Sequence, residues 1–388
     1  MAEGPSAAEA APLHRGLPEE IIVWEILVRL PPKSLLRCRA VCPAWRRATS
    51  TRDFLLAHHA RQPSLPLLRG YHLSGDGVSL DVIPFDHRAG LAAVDQLQSV
   101  ARLGYSYFGL EASCDGLLVL NGRYRNLGYS ICNLATRQHA RLEELDHFAL
   151  LGMYPHGPTG EYRLLLGKSL SYRTLAPDVF YIFTLGSGQL PRRISCSNVG
   201  GMSYESSSIL CHGSLHWLLE QHEGASNMIK VFNTTTESFR QMRAPAVLGR
   251  TKLFEIDGML GVSSFNAAAA TIDIWMTQTD ESEAWAFKYR VELPVAELTE
   301  QFGKFHVQQS VVVPSWDGKL LVMVKIEDWL HQLDINGKLV TSFHRRSLHP
   351  TELRLKQTLV PHTFFPTLEG YVVNDSPFIS QLLQCGAS

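Results

Sequence analysis

Cys114-Asp115-Gly116-Leu117-Leu118-Val119-Leu120 is a tight turn feeding an apolar run, and its pattern returns three more times along the chain. The other copies are His212-Gly213-Ser214-Leu215-His216-Trp217-Leu218, Asp257-Gly258-Met259-Leu260-Gly261-Val262 and Trp316-Asp317-Gly318-Lys319-Leu320-Leu321-Val322. The Asp-Gly or His-Gly pair supplies the positive-φ residues that a tight hairpin turn requires. A second β-type run follows each copy: Tyr129–Leu134, Met228–Asn233, Thr271–Met276 and Trp329–Asp334. The first interval, Gly116 to Gly213, is about twice as long as the next two, which predicts one degenerate unit inside it, at 155–195.

Units of about 40–60 residues with three or four strands are the signature of propeller blades, which bury their faces only by stacking on neighbours. The reading is therefore a large all-β domain over 63–376, a β-propeller of six blades. A seven-bladed count and a pair of β-sandwiches are the alternatives. A ring that ends where it starts leaves no open edge, so Gly370–Asn374 is expected to pair with strands near Tyr71–Val82.

The Pro-rich joint Gln62-Pro63-Ser64-Leu65-Pro66 marks a change of character. Upstream of it, Leu17, Ile21, Ile22, Ile26, Leu27 and Leu30 stand at helical spacing, and Leu35, Leu36, Val41 and Trp45 form a second apolar set. Pro31-Pro32 and Pro43 break this stretch into two or three short helices. Eight basic residues against four acids make 17–62 locally positive, notably through Arg29, Lys33, Arg37 and Arg39. Residues 1–13 read as a disordered tail and 377–388 as a C-terminal tail.

The whole chain has 388 residues, 36 Lys and Arg against 37 Asp and Glu, and 45% apolar residues. Such neutrality argues against a wholesale nucleic-acid or membrane-surface binder, because both need a strong positive field. No apolar run is long enough to span a bilayer, and the first 16 residues carry Glu3 and Glu9 without a continuous apolar stretch. Seven scattered cysteines do not make a disulfide framework, so the expected compartment is a reducing one, cytoplasm or nucleus.

Candidate chemistry is sparse. Cys38 and Cys42 lie one helical turn apart, and Cys211, His212 and His216 cluster on a hairpin, but neither set has the further ligands a metal needs. Nucleophile-elbow, phosphate-loop and dinucleotide motifs are missing from the sequence. The expectation is a non-enzymatic chain with no catalytic residue, cofactor or metal. Tyr105, Tyr107, Phe108, Tyr172, Arg173, His344, Arg345 and Arg346 fall on expected loops, where such residue types can serve recognition.

The segment Leu17-Pro18-Glu19-Glu20 through Ile26-Leu27-Val28-Arg29-Leu30-Pro31-Pro32-Lys33-Ser34-Leu35-Leu36-Arg37 to Val41-Cys42-Pro43-Ala44-Trp45-Arg46 resembles an F-box. One departure stands out. Leu17 to Pro31 is one residue longer than the commonest spacing, with Trp24 the extra residue, which leaves Ile21 and Ile22 as competing choices for one position. The remainder resembles the F-box-associated, kelch-like region of plant members at Ser113–Leu118, Ile131–Arg137, Ile229–Asn233 and Ile272–Trp275.

This resemblance implies a substrate-recognition subunit of an SCF-type E3 ubiquitin ligase. Its F-box, 14–62, would dock on a Skp-type adaptor, and through it on cullin and RING subunits, while the β domain holds a target protein. The adaptor-binding set it implies is Leu17, Pro18, Ile22, Ile26, Leu27, Leu30, Pro31, Leu35, Leu36, Val41 and Trp45, some of them necessarily core. A ligase-independent scaffold or a ligand-binding propeller, for example a glycan reader, is the alternative.

Overall fold

The computed structural model describes residues 17–74, 77–86, 97–104, 109–122, 128–168, 179–195, 207–219, 228–247, 249–277, 284–302, 306–314 and 319–365. Both expected tails, Gly370–Asn374, the Asp317-Gly318 turn, and Tyr105, Tyr107, Phe108, Tyr172 and Arg173 lie outside the described residues. Two compact units emerge. One takes the chain up to Gln62 together with Thr358–Val360; the other takes Pro63–Gln357 and the chain from Pro361.

The first unit is helical. Helix α1 (Glu19–Ile21) continues through a π turn (Ile22–Ile26) and a 3-10 turn (Leu27–Arg29); α2 (Pro32–Val41), α3 (Pro43–Ala48) and α4 (Arg52–Arg61) follow. Proline opens both α2 and α3, where its missing N–H costs nothing. The fourth helix is one more than the proline breaks predict. Thr51 starts it, its Oγ1 accepting from the Phe54 N–H at 3.4 Å.

The second unit is six four-stranded antiparallel sheets. From the innermost strand outward, blade 1 is Leu348–Lys356, Ser64–Ser74, Gly77–Pro84 and Ala101–Gly104. Blade 2 is Gly109–Cys114, Leu117–Asn121, Tyr129–Asn133 and Gln138–Leu142, and blade 3 is Ala149–His156, Glu161–Lys168, Val179–Thr184 and Arg192–Ile194. Blade 4 is Ile209–Cys211, Ser214–Leu218, Met228–Asn233 and Ser238–Arg243; blade 5 is Arg250–Ile256, Met259–Asn266, Thr271–Thr277 and Ala286–Glu292. Blade 6 is Val307–Pro314, Leu320–Ile326, Trp329–Asp334 and Leu339–His344.

Each consecutive pair of blades shares an apolar core. Leu67 and Leu80 pack with Leu118 and Leu120, Ile131 with Leu164, Phe180 with Trp217 and Phe232, and Val231 with Val262. Ile274 packs with Val324, and Met323 and Phe343 pack back onto Leu68 and Ile83 of blade 1. Six blades and six shared cores close a ring, which excludes both the seven-bladed count and the sandwich pair.

The closing strand is not the one expected from sequence. Leu348–Lys356 pairs antiparallel with Ser64–Ser74, Leu65 opposite Leu355 and Leu68 opposite Pro350. Pro350 conceals it, since proline argues against a strand; but the innermost position is a sheet edge, where a missing N–H is tolerated. Blade 3 is the degenerate unit. Its first turn replaces Asp-Gly with a wider one in which the Thr159 and Gly160 N–H groups both donate to the His156 carbonyl.

The Asp-Gly and His-Gly turns adopt the backbone their chemistry requires. φ is 48° and 88° at Asp115 and Gly116, 46° and 68° at His212 and Gly213, and 50° and 76° at Asp257 and Gly258. A Cβ at Gly258 would meet nothing within 4 Å. Gly258→Ala therefore isolates backbone strain, with an expected loss of about 1–2 kcal/mol in denaturant unfolding and an unchanged m-value.

Polar clasps tie blades together as well. Asp81, buried in blade 1, accepts from Arg102 Nε at 2.7 Å and pairs with Arg345 from the end of blade 6. Glu237 of the blade 4 turn pairs with Arg163 of blade 3 at 2.6 Å and with Arg192. Arg345 thus links blade 6 to blade 1, and His344 packs tilted against Trp329 with ring centroids 4.5 Å apart. Sequence placed both Arg345 and His344 on loops, where such residue types can serve recognition.

Burial pushes His139 and His331 down to about 4, with Arg141 and Lys325 adding repulsion. The unfolded chain takes up these protons near 6.5, the folded chain only near 4. Unfolding therefore binds protons across that window, so stability is full above pH 6.5 and falls as pH drops toward 4. Thermal unfolding scans should show this decline, and His331→Gln should flatten it.

Candidate docking surface on the helical unit

The helical unit has a core of Val23, Leu27, Val28, Leu35, Phe54 and Leu55, all buried. His58 is buried beside them, and its Nε2 donates to the Leu30 carbonyl at 2.8 Å, where Gln62 Nε2 also donates at 3.2 Å. That carbonyl sits at the break before Pro31, so α4 fixes how the chain turns into α2. Burial lowers the pKa of His58, in keeping with a neutral ring that donates through one nitrogen.

Against this core the predicted set divides. Leu27 and Leu35 are buried, and Ile22, Leu30 and Trp45 are half-buried. Leu17, Pro18, Ile26, Pro31, Leu36 and Val41 are exposed, Leu17 at 58% and Val41 at 77%. So many large apolar side chains in water within about 45 residues are costly unless something covers them. Buried members of the set can only support such a contact from beneath.

Two residues outside the predicted set are exposed in the same stretch. Ile21 is 42% exposed and Trp24 41%, the indole leaning on Phe54 with ring centroids 5.7 Å apart. Their signal was the one-residue surplus between Leu17 and Pro31. The structure absorbs it as the π turn, where the Leu27 N–H reaches the Ile22 carbonyl five residues back. Ile21 and Ile26 thereby align on the exposed side and Val23 and Val28 on the buried side, a register that an unbroken α-helix would split.

The positive charge is less free than composition implied. Arg39 donates from Nε to Thr49 Oγ1 at 2.9 Å and from Nη2 to the Thr49 carbonyl, so it braces α2 against the end of α3. Arg29 pairs with Glu25 at 2.7 Å. Lys33 and Arg37 remain exposed on α2. Cys38 and Cys42 are half-buried thiols.

In the propeller, the innermost strands enclose a cavity of about 340 Å³. Charged groups meet within it: Lys252 pairs with Glu352 at 2.7 Å and Arg354 with Glu255 at 3.5 Å, blade 5 to the closing strand of blade 1. Arg354 Nη2 also donates to the Ser64 carbonyl at 2.7 Å. These cations and carboxylates engage one another, and among the described residues no group of three or more His, Cys, Asp or Glu has the placement to hold a metal ion. No helix among the described residues is long and apolar enough to cross a membrane.

Residues 90–321 match the F-box associated beta propeller domain family. The chain belongs to that family. Residues 15–61 of this F-box protein match the F-box-like family, a span that contains the exposed apolar residues of α1 and α2. It is 23% identical to F-box protein At5g49610 of Arabidopsis thaliana over 296 residues, covering 69% of this chain and 77% of that one. It is 26% identical to F-box protein At1g52495 of the same plant over 295 residues, 70% of this chain and 67% of that one.

Proposed function

We propose that this F-box protein is the substrate receptor of an SCF-type ubiquitin ligase, docking on a Skp-type adaptor through Leu17, Pro18, Ile26, Pro31, Leu36 and Val41, with Ile22, Leu27, Leu30, Leu35 and Trp45 shaping that face from beneath. Leu17, Ile26, Leu36 and Val41, exposed within the segment that matches an F-box, carry this reading. Lys33 and Arg37 would steer an acidic partner. The propeller would hold the target protein. The contribution is proximity: a tethered target meets the ubiquitin-charged enzyme at high effective concentration, so no active-site group is needed on this chain. The reading places the protein in cytoplasm or nucleus.

Titrating the purified full chain against a purified Skp-type adaptor tests it. Saturable one-to-one binding is expected, and a chain that stays monomeric at tens of micromolar adaptor would overturn the reading.

A further inference from the structure

The π turn does more than absorb an extra residue. Every side chain from Ile21 to Val23 matches the one five places later: Ile21 and Ile26 are both exposed, Ile22 and Leu27 turn inward, Val23 and Val28 are both buried. In this register Trp24 is matched by Arg29, also exposed, and is the one aromatic side chain of the stretch from Leu17 to Pro31. It lies in sequence between Ile21 and Ile26, two-fifths exposed, with one side braced on the buried Phe54 of α4.

A large aromatic side chain held by packing loses little freedom when a partner covers it, and tryptophan is among the residues most enriched in binding hot spots. Single π turns inside helices also recur at functional positions. We propose that Trp24 is a pre-ordered anchor of the adaptor contact, set out from α1 by the π turn and braced on Phe54, and that it raises the affinity of this F-box for its Skp-type adaptor. The inference rests on the docking reading above. The occupant is the adaptor because Trp24 lies inside the F-box match and beside the exposed residues assigned to that contact.

Deleting Trp24 is an unusually clean test. It returns Ile21 and Ile26, Ile22 and Leu27, and Val23 and Val28 to a separation of four, the spacing of an ordinary α turn. Both faces of the helix survive and only the indole is lost. Trp24→Ala removes the indole while leaving the extra residue, and Trp24→Phe keeps an aromatic ring on Phe54.

In calorimetric titrations of the full chain with purified adaptor, the deletion and Trp24→Ala should each weaken binding by about thirty-fold, and Trp24→Phe should recover most of it. Hydroxyl-radical footprinting of the wild-type complex should show oxidation of Trp24 falling on binding, a readout that holds even if a variant folds poorly. Binding within twofold of wild type in the deletion, or an unchanged Trp24 footprint, overturns the inference alone. A wild-type chain that does not bind the adaptor overturns the docking reading and this inference with it.

Discussion

Replacing Leu17 and Pro18 together with alanine should reduce adaptor capture by the full chain to background. Both residues are exposed and neither belongs to the core of the helical unit, so the double variant should keep its helical circular dichroism and its melting temperature. What it loses is apolar area that only a partner would cover. At about 25 cal/mol per Å² the two truncations remove ~2–3 kcal/mol of potential burial, and hot-spot losses of 2–4 kcal/mol are typical near the centre of an interface. A weakening of at least thirty-fold follows. Pull-down with purified adaptor, alongside a melting curve, checks it. Capture at wild-type strength would mean that this end of the face lies outside the contact.

Ring closure carries the other large effect. Leu355 is buried on the closing strand and packs with Leu67, Leu80 and Leu118 between blades 1 and 2. Leu355→Asp would place a carboxylate among leucines, at a cost of several kcal/mol out of the 5–15 kcal/mol that holds a typical domain folded. The propeller is expected to lose its cooperative thermal transition, because an opened blade 1 exposes the cores it shares with both neighbours. Val340→Asp on the outermost strand of blade 6 is the control; that side chain is already half in water. Equal melting temperatures for the two variants would show that the closing strand is dispensable.

The blade plan was readable residue by residue because its causes are local. A tight turn needs positive φ, Asp-Gly and His-Gly supply it, and the apolar runs that follow read as strands whatever lies around them. Blade 3 and the closing strand escaped that reading for local reasons too, the one through a wider turn at His156–Gly160 and the other through Pro350.

Arg345 and Arg39 show what no local pattern carries. Each has the composition of a free surface cation. Arg345 becomes a clasp only because blade 6 ends beside a buried Asp81, and Arg39 only because α3 ends with Thr49 in reach. Trp24 is intermediate: its surplus could be counted in the chain, but whether it would break the helix, bulge it or shift its register depended on Phe54 and the core beneath.

Amino-acid order by itself therefore determined the repeating β plan, the boundary near residue 62 and the F-box motif, since turn chemistry, proline placement and apolar periodicity act over a few residues. Tertiary structure alone decided the strand that closes the ring and which apolar residues of α1 and α2 meet water. Those outcomes turn on which surfaces find a neighbour, and that is a property of the packed chain and of no short stretch of it.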